Sequence, residues 1–456
     1  MTPAKTIEYK IKNIIQDLLD KHSAYDSYFE EIGYKITGPI YLGYVCWLIK
    51  NATDKNISHL YFLSRDGINP YLLYQKLSKY LDFKLQPASY LYASRRAMLI
   101  PAIDTLNEES SELRFLISSW WEELKVKEFL FRLKIDLSSE EANCLIEKVG
   151  FTSMEYRVKR SDYTRLEKLF LEAAELIIRR GEKERKTLRE YIIQEGLLAE
   201  RHPAIVDIGW GGSMQKSIFK IIEKEKGSAT KLDGFYVGTN NRMKSVRDLG
   251  MGADGFILQS YPEELSLYTI WQSTEILEFM FSADHPTVLY FEEAKEGIRP
   301  KFSMYNNEEL YRESAEKVQT AAFKFVNDFL DLINKEGLEE YIKISDIDSD
   351  FYFKNLFNLV LNPTIRDAEH FHMIRHLPGL GETYEGDHIV EYCNSYSPKA
   401  LCYRFEHAYW ENGFLVTLSN AQKFLLLLFC KKYQERRRMR KQIKKLMNQK
   451  HPKWNF

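Results

Sequence analysis

Cysteine is scarce in this sequence of 456 residues, and the five cysteines that are present lie far apart. No two of them have CxxC spacing, and none belongs to a pattern typical of metal ligands. These absences argue against a disulfide framework and against a structural zinc site. We therefore expect a protein of the reducing cytoplasm.

Long apolar runs are also absent. The longest one, Phe424 to Cys430, is far too short to cross a bilayer. The first fifteen residues, MTPAKTIEYKIKNII, lack the uninterrupted apolar core of a signal peptide. The sequence therefore predicts a protein that is neither exported nor transmembrane.

The chain has no excess of charge of either sign. Charged residues make up 28% of the sequence, but the formal net charge is only -1. Without a global field, the molecule does not have the signature of a nucleic-acid binder, so any electrostatic function must be local. Familiar enzyme motifs are missing as well: there is no Walker loop, no GxSxG elbow and no phosphatase nucleophile motif of the DxDxT type.

What the sequence does contain is a repeated strand-turn-helix pattern. The apolar segment His59 to Ser64 precedes a helical pattern that ends at Tyr80, and a second strand begins at Ser89. A third strand, starting at Ala204, leads through a glycine-rich turn into another helix, and further strands are predicted at residues 232–238, 255–258 and 288–291. Alternating strands and helices predict an α/β fold with a Rossmann-like, largely parallel sheet. Ligands of such sheets bind outside the carboxyl ends of the strands.

The pattern also predicts how the chain is divided. Residues 1–105 form N-terminal helices and the first half of the α/β core, and we expect Gly38-Pro39 to break the chain between two of those helices. Residues 106–200 are charged, helically periodic and poor in glycine and proline, which predicts a large helical insertion. Residues 201–300 are the second half of the core, residues 301–430 are a helical region that includes a long helix from Glu308, and residues 431–456 are a basic helix.

The glycine-rich turn is the most informative segment. The strand before it delivers Asp207, and Gly209, Gly211 and Gly212 then lead to Ser213 at the start of a helix. Glycines let the backbone approach an anion closely, and the amides and dipole of a helix N-terminus attract negative charge, so this turn is typical of a phosphate site. Ser213 would cap the helix or contact the anion. The alternative is a tight connection in which glycine serves packing alone.

Two other strand ends carry charged pairs. Arg65-Asp66 follows the first strand, where the arginine would bind phosphate oxygens and the aspartate would accept a proton, bind a ribose hydroxyl or hold magnesium. Arg95-Arg96 follows the second strand, where two guanidinium groups would suit pyrophosphate. The alternative for Arg65-Asp66 is an exposed turn with a local ion pair, and the alternative for Arg95-Arg96 is a pair of solvated surface arginines.

Glu275 and Glu278 are the remaining candidates. A spacing of three residues puts them on one face of a helix within an apolar segment, which suits a buried carboxylate such as a general base, or else an exposed helix face. Further along the chain, His370, His372 and His376 lack accompanying ligands at diagnostic spacing, so we predict no metal site there.

Six segments taken in order resemble the glycan phosphoribosyltransferase module of bacterial polysaccharide ribofuranosyltransferases. They are Gly38-Pro39 before an apolar helix, Tyr61-FLSRDG, Tyr90-LYASRRA, Ile205-VDIGWGGSMQ, Gly234-FYVGT and Glu275-ILEFMFSADHP. The resemblance covers residues 36–376. The glycine-rich turn also parallels the phosphoribosyltransferase signature, although that signature has an acidic pair and this chain has Asp207 alone.

The resemblance implies transfer of a 5-phosphoribosyl group from phosphoribosyl pyrophosphate to a glycan acceptor, in capsule or O-antigen synthesis. It assigns Arg65, Arg95 and Arg96 to pyrophosphate and the turn from Gly209 to Ser213, with Gln215, to phosphate. Asp66 would activate the acceptor or hold a metal ion, Asp207 would bind ribose hydroxyls, and Glu275 and Glu278 would complete the catalytic and binding groups. Magnesium would accompany the donor, and inversion at the anomeric carbon is the expected stereochemistry.

In that family the module often follows a haloacid dehalogenase-type phosphatase, which removes the 5-phosphate. This sequence contains no such signature, so we expect a separate phosphatase partner. A transferase that uses a nucleotide sugar and a non-catalytic scaffold of polysaccharide assembly are the alternative functions.

The end of the sequence is strongly basic. From Lys431 onward there are eleven lysines and arginines against a single acid, Glu435. Together with the apolar run before it, this tail predicts peripheral contact with the inner face of the cytoplasmic membrane, where a lipid-linked acceptor would reside. Packing of the apolar run into the core, with a solvated or glycan-binding basic helix, is the alternative. We expect residues 434–456 to be dispensable for transfer to a soluble acceptor.

Overall fold

The computed structural model of the chain describes residues 3–22, 24–81, 84–110, 113, 125–133, 140–227, 231–257, 263–303, 309–339, 342, 347–376 and 387–450. In chain order, the helices of these residues are α1 (Pro3–Lys21), α2 (Tyr28–Ile32), α3 (Gly38–Asp54), α4 (Ile68–Tyr80), α5 (Arg95–Ala102), α6 (Val126–Arg132), α7 (Glu140–Lys148), α8 (Tyr163–Glu172), α9 (Ala174–Gln194), α10 (Ser213–Lys226), α11 (Lys244–Arg247), α12 (Glu263–Phe281), α13 (Glu309–Glu336), α14 (Ser349–Leu361), α15 (Ile365–His372), α16 (Pro398–His407), α17 (Glu411–Thr417), α18 (Asn420–Phe429) and α19 (Lys431–Lys450). The strands are β1 (His59–Leu63), β2 (Ala88–Leu91), β3 (Pro203–Asp207), β4 (Asp233–Tyr236), β5 (Ala253–Gly255), β6 (Val288–Ala294), β7 (Gly297–Phe302), β8 (Arg375–His376) and β9 (Asp387–His388).

The centre of the molecule is a five-stranded, fully parallel sheet with the strand order β2-β1-β3-β4-β5. The predicted Rossmann-like α/β fold is therefore confirmed. Leu60 of β1 pairs with Ala88 on one side and with Ala204 on the other. The strand order reverses between β1 and β3, and such a switch point opens a crevice at the carboxyl edge of a sheet.

Both faces of this sheet are buried, as expected for parallel strands. Along β1, Leu60 and Phe62 belong to one hydrophobic core, and Tyr61 and Leu63 belong to a second core on the opposite face. Side chains alternate between the faces of a strand, so a run without polar residues is what a doubly covered strand requires. Helices α3, α12 and α13 contribute to the first core, and α9 and α10 contribute to the second.

The helix that starts at Gly38 differs from the sequence-based expectation. Helix α2 continues through a π-helical turn (Gly33–Thr37) directly into α3, without the predicted break at Gly38-Pro39. Pro39 is the second residue of α3, which directly follows the π-helical turn. The glycine serves packing instead, since a Cβ atom at Gly38 would lie 2.7 Å from the Phe325 ring.

Two of the later strands also differ. The strand predicted at Val288 is β6, which pairs antiparallel with β7 in a separate hairpin and not with the main sheet. Strand β5 ends at Gly255, although Phe256 and Ile257 still donate backbone hydrogen bonds to the carbonyl groups of residues 236 and 237. Leu258 and Glu308, which the sequence places in a strand and a helix, lie outside the described residues.

The region after α5 contains the helices α6, α7, α8 and α9, and residues 111–112, 114–124 and 134–139 of the predicted insertion lie outside the described residues. These helices share a hydrophobic core of their own, which includes Leu130, Ile146 and Leu166. Helix α9 also packs on α5, so it joins this region to the sheet.

The basic helix α19 packs against the body of the protein with one side. Its Ile443 and Met447 are fully buried in the main core, and Lys450 forms an ion pair with the buried Asp350 of α14. Among the described helices, none combines the length and the apolar character that crossing a bilayer would need.

Candidate functional site

A cavity of about 880 Å³ opens at the carboxyl ends of β1, β2 and β3. The predicted site residues that line it are Arg65, Asp66, Arg95, Asp207, Gly209, Gly211, Gly212, Ser213, Gln215, Glu275 and Glu278. Of the twelve predicted site residues, Arg96 alone is not part of the lining. The cavity lies at the strand-order switch, where the sheet topology places a ligand crevice.

The turns after β1 and β2 hold each other in place. The Ser64 hydroxyl donates to the Ala93 carbonyl oxygen at 2.7 Å and accepts from the Ala93 amide at 2.8 Å. A Cβ atom at Gly67 would lie 2.5 Å from the Leu63 carbonyl oxygen, so only glycine fits this sharp turn. The two strand ends that carry Arg65 and Arg95 are therefore tied together by reciprocal hydrogen bonds.

Arg95 and Arg96 point to different surroundings because they begin a helix. Ser94 caps α5 by accepting from the Ala97 amide at 2.9 Å, and Arg95 then faces the cavity. Arg96 is buried and donates two hydrogen bonds, at 2.6 and 2.8 Å, to the carboxylate of Glu184 in α9. Its guanidinium group ties α5 to α9, so the sequence-based assignment of Arg96 to pyrophosphate is replaced by a structural role.

The glycine-rich turn depends on two glycines for different reasons. Gly209 has a φ of +146°, and a side chain there would collide with the Gly238 carbonyl oxygen. Gly212 has a φ of +70°, and its Cβ would lie 2.5 Å from both Met243 and Val246. The turns after β1 and β3 each contain a cis peptide bond, Ser64–Arg65 and Gly209–Trp210. The backbone of this turn is thus enclosed on its outer side and faces the cavity at the start of α10.

Two residues of this segment behave differently from the prediction. Gly212 is the N-cap of α10, and no side-chain capping bond forms there, so Ser213 lines the cavity without capping the helix. The Gln215 amide group is buried, where it donates to the carbonyl oxygens of Leu232 and Gly252 and accepts from Tyr236. Its amide group therefore joins α10 to the sheet.

Helix α12 supplies the opposite wall of the cavity. Glu275 and Glu278 both face the cavity, as their spacing on one helix face predicts. Glu278 accepts from the Trp210 indole at 3.2 Å, and its other oxygen lies 3.8 Å from Nδ1 of His376. The side chain of Glu278 thus links the glycine-rich turn to the segment after α15.

Burial and the neighbouring Glu278 raise the pKa of Asp66 to about 7, although Arg65 and Arg95 act in the opposite direction. The desolvation cost of a buried carboxylate is the largest cause. An acid with a pKa near neutrality is suited to exchange protons with a substrate. Asp66 therefore has the electrostatic environment of a general base or acid.

Two further carboxyl groups of the cavity are shifted in the same direction. Burial and the charge of Asp66 raise the pKa of Asp207 well above its usual range, and burial with Glu278 does the same for Glu275. Crowded acids in a buried cleft favour a shared proton or a bound cation. A strongly perturbed cluster next to arginines is a typical feature of functional sites.

The sequence analysis missed several residues of the cavity. Arg242 stands beside the glycine-rich turn, with its Nε atom 3.3 Å from the position of a Cβ at Gly211. Tyr311 of α13 and His376 after α15 also line the cavity. Burial lowers the pKa of His376, and Arg65 and Arg95 act in the same direction. No local motif marks these residues, because they reach the cavity from distant parts of the chain.

The outer part of the cavity is aromatic and basic. Trp271 of α12 lies in the lining, and the guanidinium carbon of Arg436 and the ammonium of Lys432 lie 4.6 and 4.7 Å from the centre of a Trp271 ring. Both cations come from α19 and also approach the buried carboxylate of Glu411. Arg436 and Met439 are themselves lining residues, so α19 forms part of the cavity wall.

In the part of the chain that the structure describes, no group of three or more histidine, cysteine, aspartate or glutamate side chains is arranged to hold a metal ion. Magnesium is usually bound through one or two carboxylates together with phosphate oxygens of a substrate. Asp66 and Asp207, at the ends of adjacent strands, fit that kind of site.

Comparison with known proteins finds no protein-family model that matches the sequence and no curated protein with significant similarity to it. The geometry of the cavity and the ordered sequence motifs are therefore what supports a function for this chain.

Proposed function

We propose that this protein is a glycosyltransferase that moves a 5-phosphoribosyl group from phosphoribosyl pyrophosphate to a glycan acceptor in capsule or O-antigen polysaccharide synthesis. The observation that carries the proposal is the meeting of three strand ends at one cavity: two supply arginines, and the third supplies a glycine-rich turn at a helix N-terminus. A separate phosphatase then removes the 5-phosphate from the product.

The proposed donor carries phosphate at both ends of its ribose, and the cavity has two kinds of anion site. The amides at the start of α10, after Gly212, suit a phosphate monoester. Arg65 and Arg95 suit the pyrophosphate, because guanidinium groups bind phosphate oxygens in pairs and neutralise charge on a leaving group. Arg242 adds a third cation beside the turn.

The transfer itself needs a base near the acceptor hydroxyl. In a single displacement, the acceptor oxygen forms a bond to C1 of the ribose while the bond from C1 to the pyrophosphate oxygen breaks, and the hydroxyl proton passes to a carboxylate. Asp66, with a pKa of about 7, is our candidate for that base. Asp207 is assigned to ribose hydroxyls, with Glu275 as a further carboxylate of the site. The proposed displacement inverts an α-linked donor to a β-linked ribofuranoside.

The acceptor side is assigned to the aromatic part of the cavity. Trp271 and Tyr311 are partly exposed residues of the lining, and aromatic rings provide apolar faces against which sugar rings pack. Magnesium, when it accompanies the donor, would be held by Asp207 together with phosphate oxygens of the donor and would neutralise phosphate charge, which leaves Asp66 as the base.

Mass spectrometry tests the proposal directly. Purified protein is incubated with phosphoribosyl pyrophosphate and a synthetic glycan acceptor, and the expected product is the acceptor with an added phosphopentose. The Asp66→Asn and Arg95→Ala variants are expected to form much less product at low donor concentration while remaining folded. A product that carries bare pentose, or no product from correctly folded wild-type protein, contradicts the proposal.

A nucleotide-activated sugar is the second candidate donor. Trp271 supplies an aromatic ring in the same cavity on which a base could stack, as such a donor requires. Parallel incubations with nucleotide sugars distinguish the two, since reaction with them alone would favour this donor. A scaffold without catalysis would be indicated if cells expressing the Asp66→Asn and Arg95→Ala variants still made the full polymer.

A further inference from the structure

Helix α18 presents an apolar surface to solvent. Phe424, Leu428 and Phe429 are 59, 52 and 62% exposed, whereas Leu426 on the other side of the helix is buried. The other exposed residues of this helix, Asn420 and Ala421, are uncharged. Two neighbouring phenylalanines and a leucine in water are unfavourable, and a surface of this kind marks a site of interaction.

Helix α19 begins two residues after Phe429 and is strongly basic, with the exposed Glu435 as its single acid. Arg437, Arg438 and Lys441 are exposed, and their spacing puts them on one side of the helix. Ile443 and Met447, on the opposite side, are buried in the core. The helix thus keeps one side for the protein and leaves a basic stripe free of packing contacts with the core.

We propose that the apolar face of α18 and the basic stripe of α19 together bind the surface of an anionic lipid bilayer. Phe424, Leu428 and Phe429 insert among the acyl chains near the headgroups, and the arginines and lysines pair with anionic headgroups. This combination of exposed aromatic or aliphatic anchors with nearby basic side chains is what interfacial membrane binding requires.

Charge favours a bilayer over a second copy of the chain as the partner. A two-fold dimer places the same surface patch of both subunits in contact, so it would bring two strongly basic α19 helices towards each other. An anionic bilayer instead supplies opposite charge together with an apolar interior.

Docking would also orient the cavity. Arg436 and Met439 of α19 line the cavity, and the basic stripe lies on the other side of the same helix. A membrane bound to that stripe would lie one helix diameter from the cavity wall, which suits an acceptor carried on a lipid. The membrane binding does not depend on the identity of the donor.

The test is co-sedimentation of the full-length protein with vesicles of phosphatidylcholine, with and without phosphatidylglycerol, at low and high salt. Wild-type protein is expected to sediment with the anionic vesicles in a salt-sensitive manner. Two variants are expected to bind the anionic vesicles at least about tenfold less tightly than wild type. They are Phe424→Ser/Leu428→Ser/Phe429→Ser and Arg437→Gln/Arg438→Gln/Lys441→Gln. Matched controls on other surfaces, Leu249→Ser/Leu310→Ser and Lys183→Gln/Lys335→Gln, are expected to behave like wild type.

Transfer to a short soluble acceptor is measured for the same variants and is expected to be unchanged, which separates this inference from the donor assignment. The inference is overturned if wild-type protein does not bind anionic vesicles or if the serine variant binds them as well as wild type. It is also overturned if light scattering shows a wild-type dimer that the serine substitutions dissociate.

Discussion

Asp66 is the residue whose chemistry is most directly open to measurement. Its pKa of about 7 means that the carboxylate, the form that accepts a proton, gains population as the pH rises through neutrality. The rate of transfer at low substrate concentration is therefore expected to fall about tenfold for each pH unit below that value and to level off above it. The measurement is the pH dependence of kcat/KM, with Asp248→Asn on the surface as the control.

Glu278 provides a second, sharper variant for the same prediction. Its charge helps to raise the pKa of Asp66, so Glu278→Gln is expected to move the acidic limb of the profile to lower pH. A glutamine oxygen still accepts the hydrogen bond of Trp210, so the fold is expected to persist. An acidic limb that stays in place in Glu278→Gln would mean that another group controls the rate.

The adjacent Arg95 and Arg96 form a natural matched pair. Arg95→Ala is expected to raise the KM for the donor at least about tenfold with little change in melting temperature, because it removes a charge from the cavity. Arg96→Ala is expected to destabilise the protein by about 3 kcal/mol, because it leaves the buried Glu184 without its bidentate partner.

Thermal unfolding and donor kinetics on both arginine variants check this pair. Arg180, which lies 3.0 Å from Glu184, would moderate the loss in Arg96→Ala without removing it. A donor defect of equal size in a stable Arg96→Ala protein would contradict the division of roles.

At the scale of elements, the glycine-rich turn allows a similar comparison. Gly212→Ala is expected to cost about 2 kcal/mol of folding free energy, because the residue has a φ of +70° and its Cβ would press on Met243 and Val246. Gly211→Ala is expected to cost less, since Gly211 has no positive φ and a Cβ there would lie 3.3 Å from both the Cβ and the Nε of Arg242, which requires only a small shift of that exposed side chain. Transfer by Gly211→Ala is expected to fall, because the methyl group stands where phosphate approaches.

Chemical denaturation measures the free energy of unfolding of the two glycine variants, and transfer assays measure their activity. Unimpaired transfer by folded Gly211→Ala would show that the turn does not bind phosphate in the proposed way, and equal stability of the two variants would contradict the cost assigned to Gly212→Ala.

The elements that could be predicted from the sequence are those defined by local patterns. The strand from His59 and the helix from Ser213 are recognisable because a buried strand and an amphipathic helix each have their own spacing of apolar residues. The antiparallel pairing of β6 with β7 could not be predicted in this way, since periodicity identifies a strand but not its partner. The continuous passage from α2 to α3 likewise depends on packing of Gly38 against Phe325, which lies far away in the chain.

The residues of the candidate site likewise fall into those that local patterns predict and those that they do not. Arg65, Asp66 and the glycine-rich turn could be found because strand ends of a parallel sheet meet at one edge. The different roles of Arg95 and Arg96 could not be predicted, because the sequence does not show that Glu184 lies next to Arg96. Contributions from Tyr311 and His376 depend on how distant helices pack.

At the scale of the whole molecule, α19 is expected to be necessary for activity and not only for membrane contact. Deleting residues 434–456 would remove Arg436 and Met439 from the cavity wall and leave a gap beside Ile443 and Met447 in the core. It would also leave the buried Glu411 without Arg436. We expect loss of transfer to a soluble acceptor together with a lower melting temperature, in contrast to the sequence-based expectation of a dispensable tail.

The serine variant of α18 is the control for this deletion, because it keeps α19 intact. Full transfer by the truncated protein would show that the contacts of α19 with the cavity have no catalytic consequence. The single substitution Arg436→Met removes the positive charge but keeps a long apolar side chain beside Trp271. Its transfer activity therefore shows whether the charge or the packing of residue 436 matters.

The position of α19 in the chain has a consequence for the growing polypeptide. Ribosomes build proteins from the amino end, so Arg65, Arg95 and the glycine-rich turn emerge and can assemble long before Arg436 is made. The other lining residues that the structure describes all precede α19 in the order of synthesis. A nascent chain would thus acquire its anion-binding groups first, while the part of the cavity around Trp271 would still lack the wall that α19 forms. The protein would become competent for transfer only when α19 packs against the cavity.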